Sequence, residues 1–142
     1  MKNLFIAILM CVGLIAHAQK INSVDFKTDA GATSQSIANA ATAYITAPAF
    51  GSGAATIQVV ATKVGGTVAG VITLQGSVDG VNFEPARLVD ATTALYTVTA
   101  TNVATQTFIW RLTLNSYNYY RLSWVGTGTM TATFTGKVVV KS

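Results

Sequence analysis

The chain is short of the residues that most often carry chemistry. Its single cysteine is Cys11 and its single histidine is His17. Both lie in the opening stretch MKNLFIAILMCVGLIAHA, where Lys2 precedes an apolar run from Leu4 to Ile15 and Ala16-His17-Ala18 forms a small-x-small cleavage site. This is the pattern of a secretory signal peptide over residues 1–18, with the leader expected as a helix. The run falls short of the roughly twenty apolar residues that a membrane-spanning helix needs, so no stable span is expected once the leader is removed. Cys11 follows Met10 rather than a small residue, which does not fit a lipoprotein site. The remaining chain, residues 19–142, then has neither cysteine nor histidine. A disulfide, a His-based triad, a cysteine nucleophile and the usual zinc sites are all excluded from it.

Charge is the second shortage. Only 10% of residues are charged, and the net charge is +4. Lys63, Arg87, Arg111, Arg121, Lys137 and Lys141 are scattered without a basic run, so no nucleic-acid partner is expected. The carboxylates are Asp25, Asp29, Asp79, Glu84 and Asp90. A glycosidase needs two of them roughly 5 to 9 Å apart across a cleft, and nothing in their spacing demands it. Asp79 alone lacks the six to eight oxygens that calcium takes. The expectation is a protein that is not an enzyme and holds no cofactor or metal.

What the sequence has in quantity is apolar and hydroxyl side chains. With 51% hydrophobic residues, residues 19–142 can bury the core of one domain. The surface must then be largely Thr, Ser, Asn, Gln and Gly, which offers little electrostatic repulsion against self-association.

Period-two alternation dominates from Thr56 onward. Strands are predicted at Thr56 to Val64, Val68 to Val78, Val81 to Pro85, Ala94 to Thr99, Thr105 to Leu114, Tyr117 to Val125 and Thr129 to Lys141, with Gly, Asn-Ser and Asp-Gly breaks between them. In the last, Met130, Ala132, Phe134, Gly136, Val138 and Val140 share one face, while Thr129, Thr131, Thr133, Thr135, Lys137 and Lys141 share the other. Phe108, Trp110, Leu112 and Leu114 likewise lie on one side, with Arg111 and Thr113 opposite. Earlier, Ile37, Ala41, Tyr44 and Ile45 fall at helical spacing; strands near Thr33 to Ala38 and Thr42 to Ala47 compete with that helix and are favoured by the β-prone Tyr-Ile-Thr and by Pro48. The fold expected is an all-β antiparallel sandwich, jelly-roll-like, of about eight strands.

Side-chain parity suggests turns. Trp124 and Met130 both point inward if Gly126-Thr127-Gly128 closes a hairpin, which sets Leu122 opposite Ala132 and Tyr120 opposite Phe134. A loop from Asn115 to Tyr119 keeps Arg111 away from Arg121 and pairs Trp110 with Trp124. Asp79-Gly80 reads as a two-residue type I′ turn pairing Val78 with Val81 and Gly76 with Phe83, whose ring would cover the bare glycine.

SVDGVNF resembles the S-x-D-G-x-x-aromatic hairpin of discoidin-like and other carbohydrate-binding β-sandwiches. Val68 to Phe83 together with YYRLSWVGTGTMTATFTGKVVVK resembles small β-sandwich accessory proteins, of the decoration or fibre type, of tailed-phage virions. The resemblance implies a virion or surface role and carries no binding residue with it. From the residues themselves the candidate interaction face is Arg111, Tyr117, Tyr119 and Arg121, since Tyr and Arg are enriched at interfaces and flat rings stack on sugars. Trp110 and Trp124, among apolar neighbours, are expected in the core. The function expected is an exported, non-catalytic structural or interaction module in the periplasm, on the cell surface, outside the cell or on a virion. Its partner would be itself, another protein assembly or a surface glycan, with a carbohydrate-binding module as the alternative.

Overall fold

The computed structural model describes residues 21–49, 51–87, 96–113 and 115–141. The expected leader, Asp90 and Leu114 lie outside them. The strands are β1 (Ile21–Asp25), β2 (Ser34–Ala38), β3 (Thr42–Pro48), β4 (Ala55–Gly65), β5 (Gly70–Ser77), β6 (Glu84–Pro85), β7 (Thr97–Ala100), β8 (Thr105–Leu112), β9 (Tyr119–Gly126) and β10 (Thr131–Lys141). No helix occurs among the described residues, so the region from Thr33 to Ala47 takes its strand reading.

All strand pairs are antiparallel. The first sheet runs β1-β10-β4-β8, with β2 continuing the edge that β1 begins; the second runs β3-β9-β5-β6, with β7 sharing the edge of β6. Counting each broken edge as one position gives eight positions in two four-wide sheets, in the strand order of a jelly roll. The core lies between the sheets, where Ile57, Val59, Phe134 and Val138 of the first face Ile45, Ile72, Leu74, Leu122 and Trp124 of the second, all buried. Trp124 meets Phe134 edge-on, with ring centroids 5.6 Å apart at 75°.

The inward faces of β8, β9 and β10 are those the alternation indicates, but their partners differ. β9 pairs with β3 and β5, and β10 with β1, β2 and β4, so the predicted β9–β10 hairpin does not form. Trp110 lies opposite Ile57 on β4 rather than beside Trp124. The reason is that the chain crosses from one sheet to the other after β8 and again after β9. Two inward residues then meet across the sandwich instead of along a ladder. β1 had no counterpart in the sequence reading; it pairs Asp25 with Lys137, whose side chains form an exposed ion pair at 3.3 Å.

The Asp-Gly turn is displaced by one residue. β5 and β6 pair Gly76 with Glu84 and Gln75 with Pro85. A type I′ turn needs positive φ at both central residues, and here Gly80 has φ 76° while Asp79 does not join the positive-φ residues. Its carboxylate instead accepts from the backbone N–H of Val81 (2.9 Å) and Asn82 (2.8 Å), from Asn82 Nδ2 (2.7 Å) and from Ser77 Oγ (2.8 Å). These bonds hold a wider loop, and one residue of slip turns every side chain beyond it to the other face. Phe83 therefore points outward, and the place over Gly76 belongs to Tyr117.

Candidate interaction face

The outer surface of the second sheet is built in rows by its registers. Thr42, Val125 and Val71 make one row, Tyr44, Ser123 and Thr73 the next, and Thr46, Arg121 and Gln75 the third. Arg121 stands at the middle strand of its row. Its Nε donates to Gln75 Oε1 at 2.7 Å, which fixes the plane of the guanidinium. The guanidinium carbon lies 4.1 Å from the Phe83 ring centroid and 5.3 Å from that of Tyr44. A cation within about 6 Å of a ring face is attracted by the ring quadrupole, so strand, neighbouring strand and loop all converge on one side chain. Tyr44 is exposed beside it, and Val71 and Val125 are exposed two rows away on the same face.

Beyond Arg121 the loops take over. Tyr119 is outward-facing and lies against Gly80, while Asn118 ties the β5–β6 loop down by donating Nδ2 to Val78 O at 3.0 Å. Gly76, Ser77, Val78, Asp79, Asn82, Phe83, Glu84 and Tyr117 line a cleft of about 490 Å³. Two carboxylates border it, and both serve the structure. Asp79 holds its loop, and Glu84 Oε1 accepts from Tyr117 Oη at 3.2 Å. The same Tyr117 oxygen accepts from the Arg87 backbone N–H at 3.2 Å. Among the described residues no three His, Cys, Asp or Glu side chains gather into a metal-binding group.

Of the four residues singled out from sequence, the structure brings two together. Arg121 and Tyr119 share the outer face of β9. Tyr117 is buried, packed edge-on to Tyr120 with centroids 5.8 Å apart at 73°, and Arg111 sits on β8 in the other sheet, opposite Thr56. Sequence reasoning missed Tyr44, Gln75 and Phe83. Tyr44 and Gln75 do fall on outward positions of alternating strands, but their meeting with Arg121 depends on the order β3-β9-β5, which no local signal carries. Tyr120, inside, has its phenol pushed well above its usual range, by burial first and then by neighbouring Tyr117; its hydroxyl donates to Asn115 Oδ1 at 2.8 Å.

The hydrogen bonds on Asp79 hold its carboxyl well below the usual carboxylate range, the Val81 N–H contributing most, then the Asn82 N–H, the Asn82 amide and the Ser77 hydroxyl. Because the folded state lowers this pKa, the loop's stabilisation is present above the unfolded carboxylate pKa and is lost only as pH falls through the lower folded value. A carbon-detected NMR titration should show no Asp79 carboxyl transition between about pH 5 and about pH 3, the range in which a free Asp titrates. A midpoint near 4 would mean that the Asp79 bonds do not form.

No protein-family profile matches this chain, and no relative is found among curated proteins. Solved structures do match, at low identity. A protein of the disulfide-linked pili of Bacillus endospore appendages is 14% identical over 87% of this chain and 89% of that one, with TM-score 0.48. A chain of the T13 particle of IBDV is 15% identical with TM-score 0.50. That match covers 87% of this chain, which spans only 31% of the viral one. A CBM4 carbohydrate-binding module is 16% identical with TM-score 0.46, covering 89% of this chain and 81% of the module. At such identities the likeness shows the β-sandwich fold alone.

Proposed function

We propose that this protein is a non-catalytic, exported interaction module that works by contact with itself or with a larger assembly at a cell or virion surface. The observation that carries the reading is the Arg121 stack. A guanidinium oriented by Gln75 and flanked by Phe83 and Tyr44, on a face that also exposes Val71 and Val125 two rows away, is a pre-ordered aromatic and arginine patch on a weakly charged sheet. Interface energy concentrates in such anchors. The carboxylates near the cleft are committed to Tyr117 and to the Asp79 loop, which leaves no free acid–base pair there. Export rests on the leader expected over residues 1–18.

The test is capture of partners from the surface fraction of the source, with light scattering of the purified protein. Arg121→Ala should weaken the captured interaction at least tenfold, since loss of an interface anchor typically costs about 2 kcal/mol, and should leave the circular dichroism unchanged. A strict monomer that recovers no partner would remove the proposal. A glycan-binding reading draws on Phe83 and Asn82 at the mouth of the cleft. Glycan-array binding that falls with Phe83→Ala and Tyr119→Ala would favour it over protein contact.

A further inference from the structure

Four sheet edges end this sandwich, and three of them are blunted. One edge of each sheet is a broken strand, β1 with β2 and β6 with β7. On the third, β3 ends at Pro48 and its Thr46 exchanges backbone bonds with Lys27, at 2.8 Å in both directions. Interruptions, prolines and covering segments are how sheet proteins keep edges from pairing. Among the described residues, β8 has none of them. Its eight residues, TQTFIWRL, run without a bulge and carry Arg111 as their one charge.

The backbone phase of β8 follows from one bond. Lys63 N–H donates to Ala104 O at 2.9 Å, and these residues continue the register in which Thr62 faces Thr105. Alternate residues of an antiparallel strand point both N–H and C=O to the same side. Gln106, Phe108, Trp110 and Leu112 therefore bond to β4, and Thr105, Thr107, Ile109 and Arg111 aim theirs at the open edge. Among the described residues no backbone group bonds to that side of β8. Ile109 is 50% exposed there.

We infer that β8 pairs antiparallel with β8 of a second copy, joining the two first sheets into one. This rests on the assembly reading above and names its partner. The sequence of the edge is self-complementary in one register. When Phe108 sits on the two-fold axis opposite its equivalent, Thr107 pairs with Ile109 and Thr105 with Arg111. All four outward-aimed residues of each copy are then bonded. A shift of one pairing step toward the C-terminus, with Ile109 on the axis, leaves Thr105 unpaired. A shift that places Arg111 on the axis sets like charges face to face, which is destabilising. In the favoured register each Arg111 faces a threonine, and the two arginines lie about 20 Å apart at a rise of ~3.4 Å per residue. The uncharged Thr and Ile side chains of the edge offer no repulsion to oppose the contact.

Sedimentation velocity on the purified protein should show a concentration-dependent dimer. Thr107→Pro should be monomeric at concentrations where the wild type is dimeric, with unchanged circular dichroism, because the lost N–H makes no bond to β4. Where proline disturbs folding, the register is tested by cysteines instead. In a Cys11→Ser background, Thr107→Cys with Ile109→Cys should cross-link under mild oxidation, and peptide mapping should find residue 107 of one copy joined to residue 109 of the other. A monomeric wild type, a dimer that survives Thr107→Pro, or a map dominated by other pairs overturns the inference. Partner capture that still depends on Arg121 after such a result would leave the interaction-module reading standing, so the two fail separately.

Discussion

Trp124→Ala should lower the stability of the domain by about 3–5 kcal/mol, the usual cost of emptying a large aromatic site in a core. Against a total of about 5–15 kcal/mol for a domain, this brings the protein close to unfolding. Trp124 stands at the centre of the core, fully buried on an interior strand of the second sheet and in contact with Phe134 of the first. Alanine leaves a hole that spans the gap between sheets, and two stiff layers close poorly over it. Trp124→Phe should cost less than alanine, because a ring still fills most of the site. Trp124 Nε1 is the one buried side-chain polar atom without a hydrogen-bond partner among the described residues. It lies where a Cβ on Gly70 would come within 2.8 Å of it. An unpaired buried donor costs about 1–3 kcal/mol, and either substitution removes it, which offsets part of the loss in both variants. Urea denaturation should show the midpoint falling for both variants with the slope unchanged. A loss below 1 kcal/mol for alanine would mean that the sheets do not pack as described.

The same tryptophan shows what could and could not be read in advance. Its inward face follows from alternation along β9, as do those of Phe134 on β10 and Trp110 on β8, because period-two patterning reports which side of a sheet a residue takes. Alternation does not report what lies on that side. A residue facing Trp124 along a ladder and a residue facing it across the sandwich satisfy the same parity. Parity therefore permits hairpins at Gly126-Thr127-Gly128 and at Asn115 to Tyr119, where the chain in fact crosses between sheets. In a jelly roll most connections cross, so sequence neighbours are seldom sheet neighbours. The strand positions were legible from residue patterns, while the strand order needed the tertiary structure.

The interaction face was half legible for a related reason. Arg121 and Tyr119 alternate outward with the core residues of β9 and could be named. Phe83 could not, because its side depends on how many residues the Asp79 loop consumes. A type I′ turn places Phe83 over Gly76; the hydrogen bonds to the Asp79 carboxylate add one residue and deliver it to Arg121. Tyr117 reads as outward from the sequence and lies inside, since the segment before β9 turns into the core, where its ring fills the space that Gly76 leaves open. A single residue of loop length thus moves two aromatic rings, one out to the surface and one into the core.

That exchange yields the other large expected effect, at Gly76. A Cβ there would sit 2.4 to 2.6 Å from three ring atoms of Tyr117, far inside contact distance. The ring has little freedom to withdraw. Its oxygen is bonded to Glu84 and to the Arg87 backbone, and its edge packs against Tyr120. Gly76→Ala should therefore cost about 1–3 kcal/mol by overpacking, and Tyr117→Ala about 3–5 kcal/mol by leaving a hole. The double variant should be less damaged than the sum, with a coupling of about 0.5–3 kcal/mol, because alanine at 76 no longer meets a ring. The consequence reaches the surface. Tyr117 anchors Glu84, the residue after Phe83, so displacing the ring in Gly76→Ala loosens the loop that presses Phe83 onto Arg121. The single variant should lose partner binding along with stability, while Trp124→Phe, which leaves this corner intact, should lose stability and keep binding. Additive effects of Gly76→Ala and Tyr117→Ala in a denaturation cycle would show that the ring does not cover the glycine.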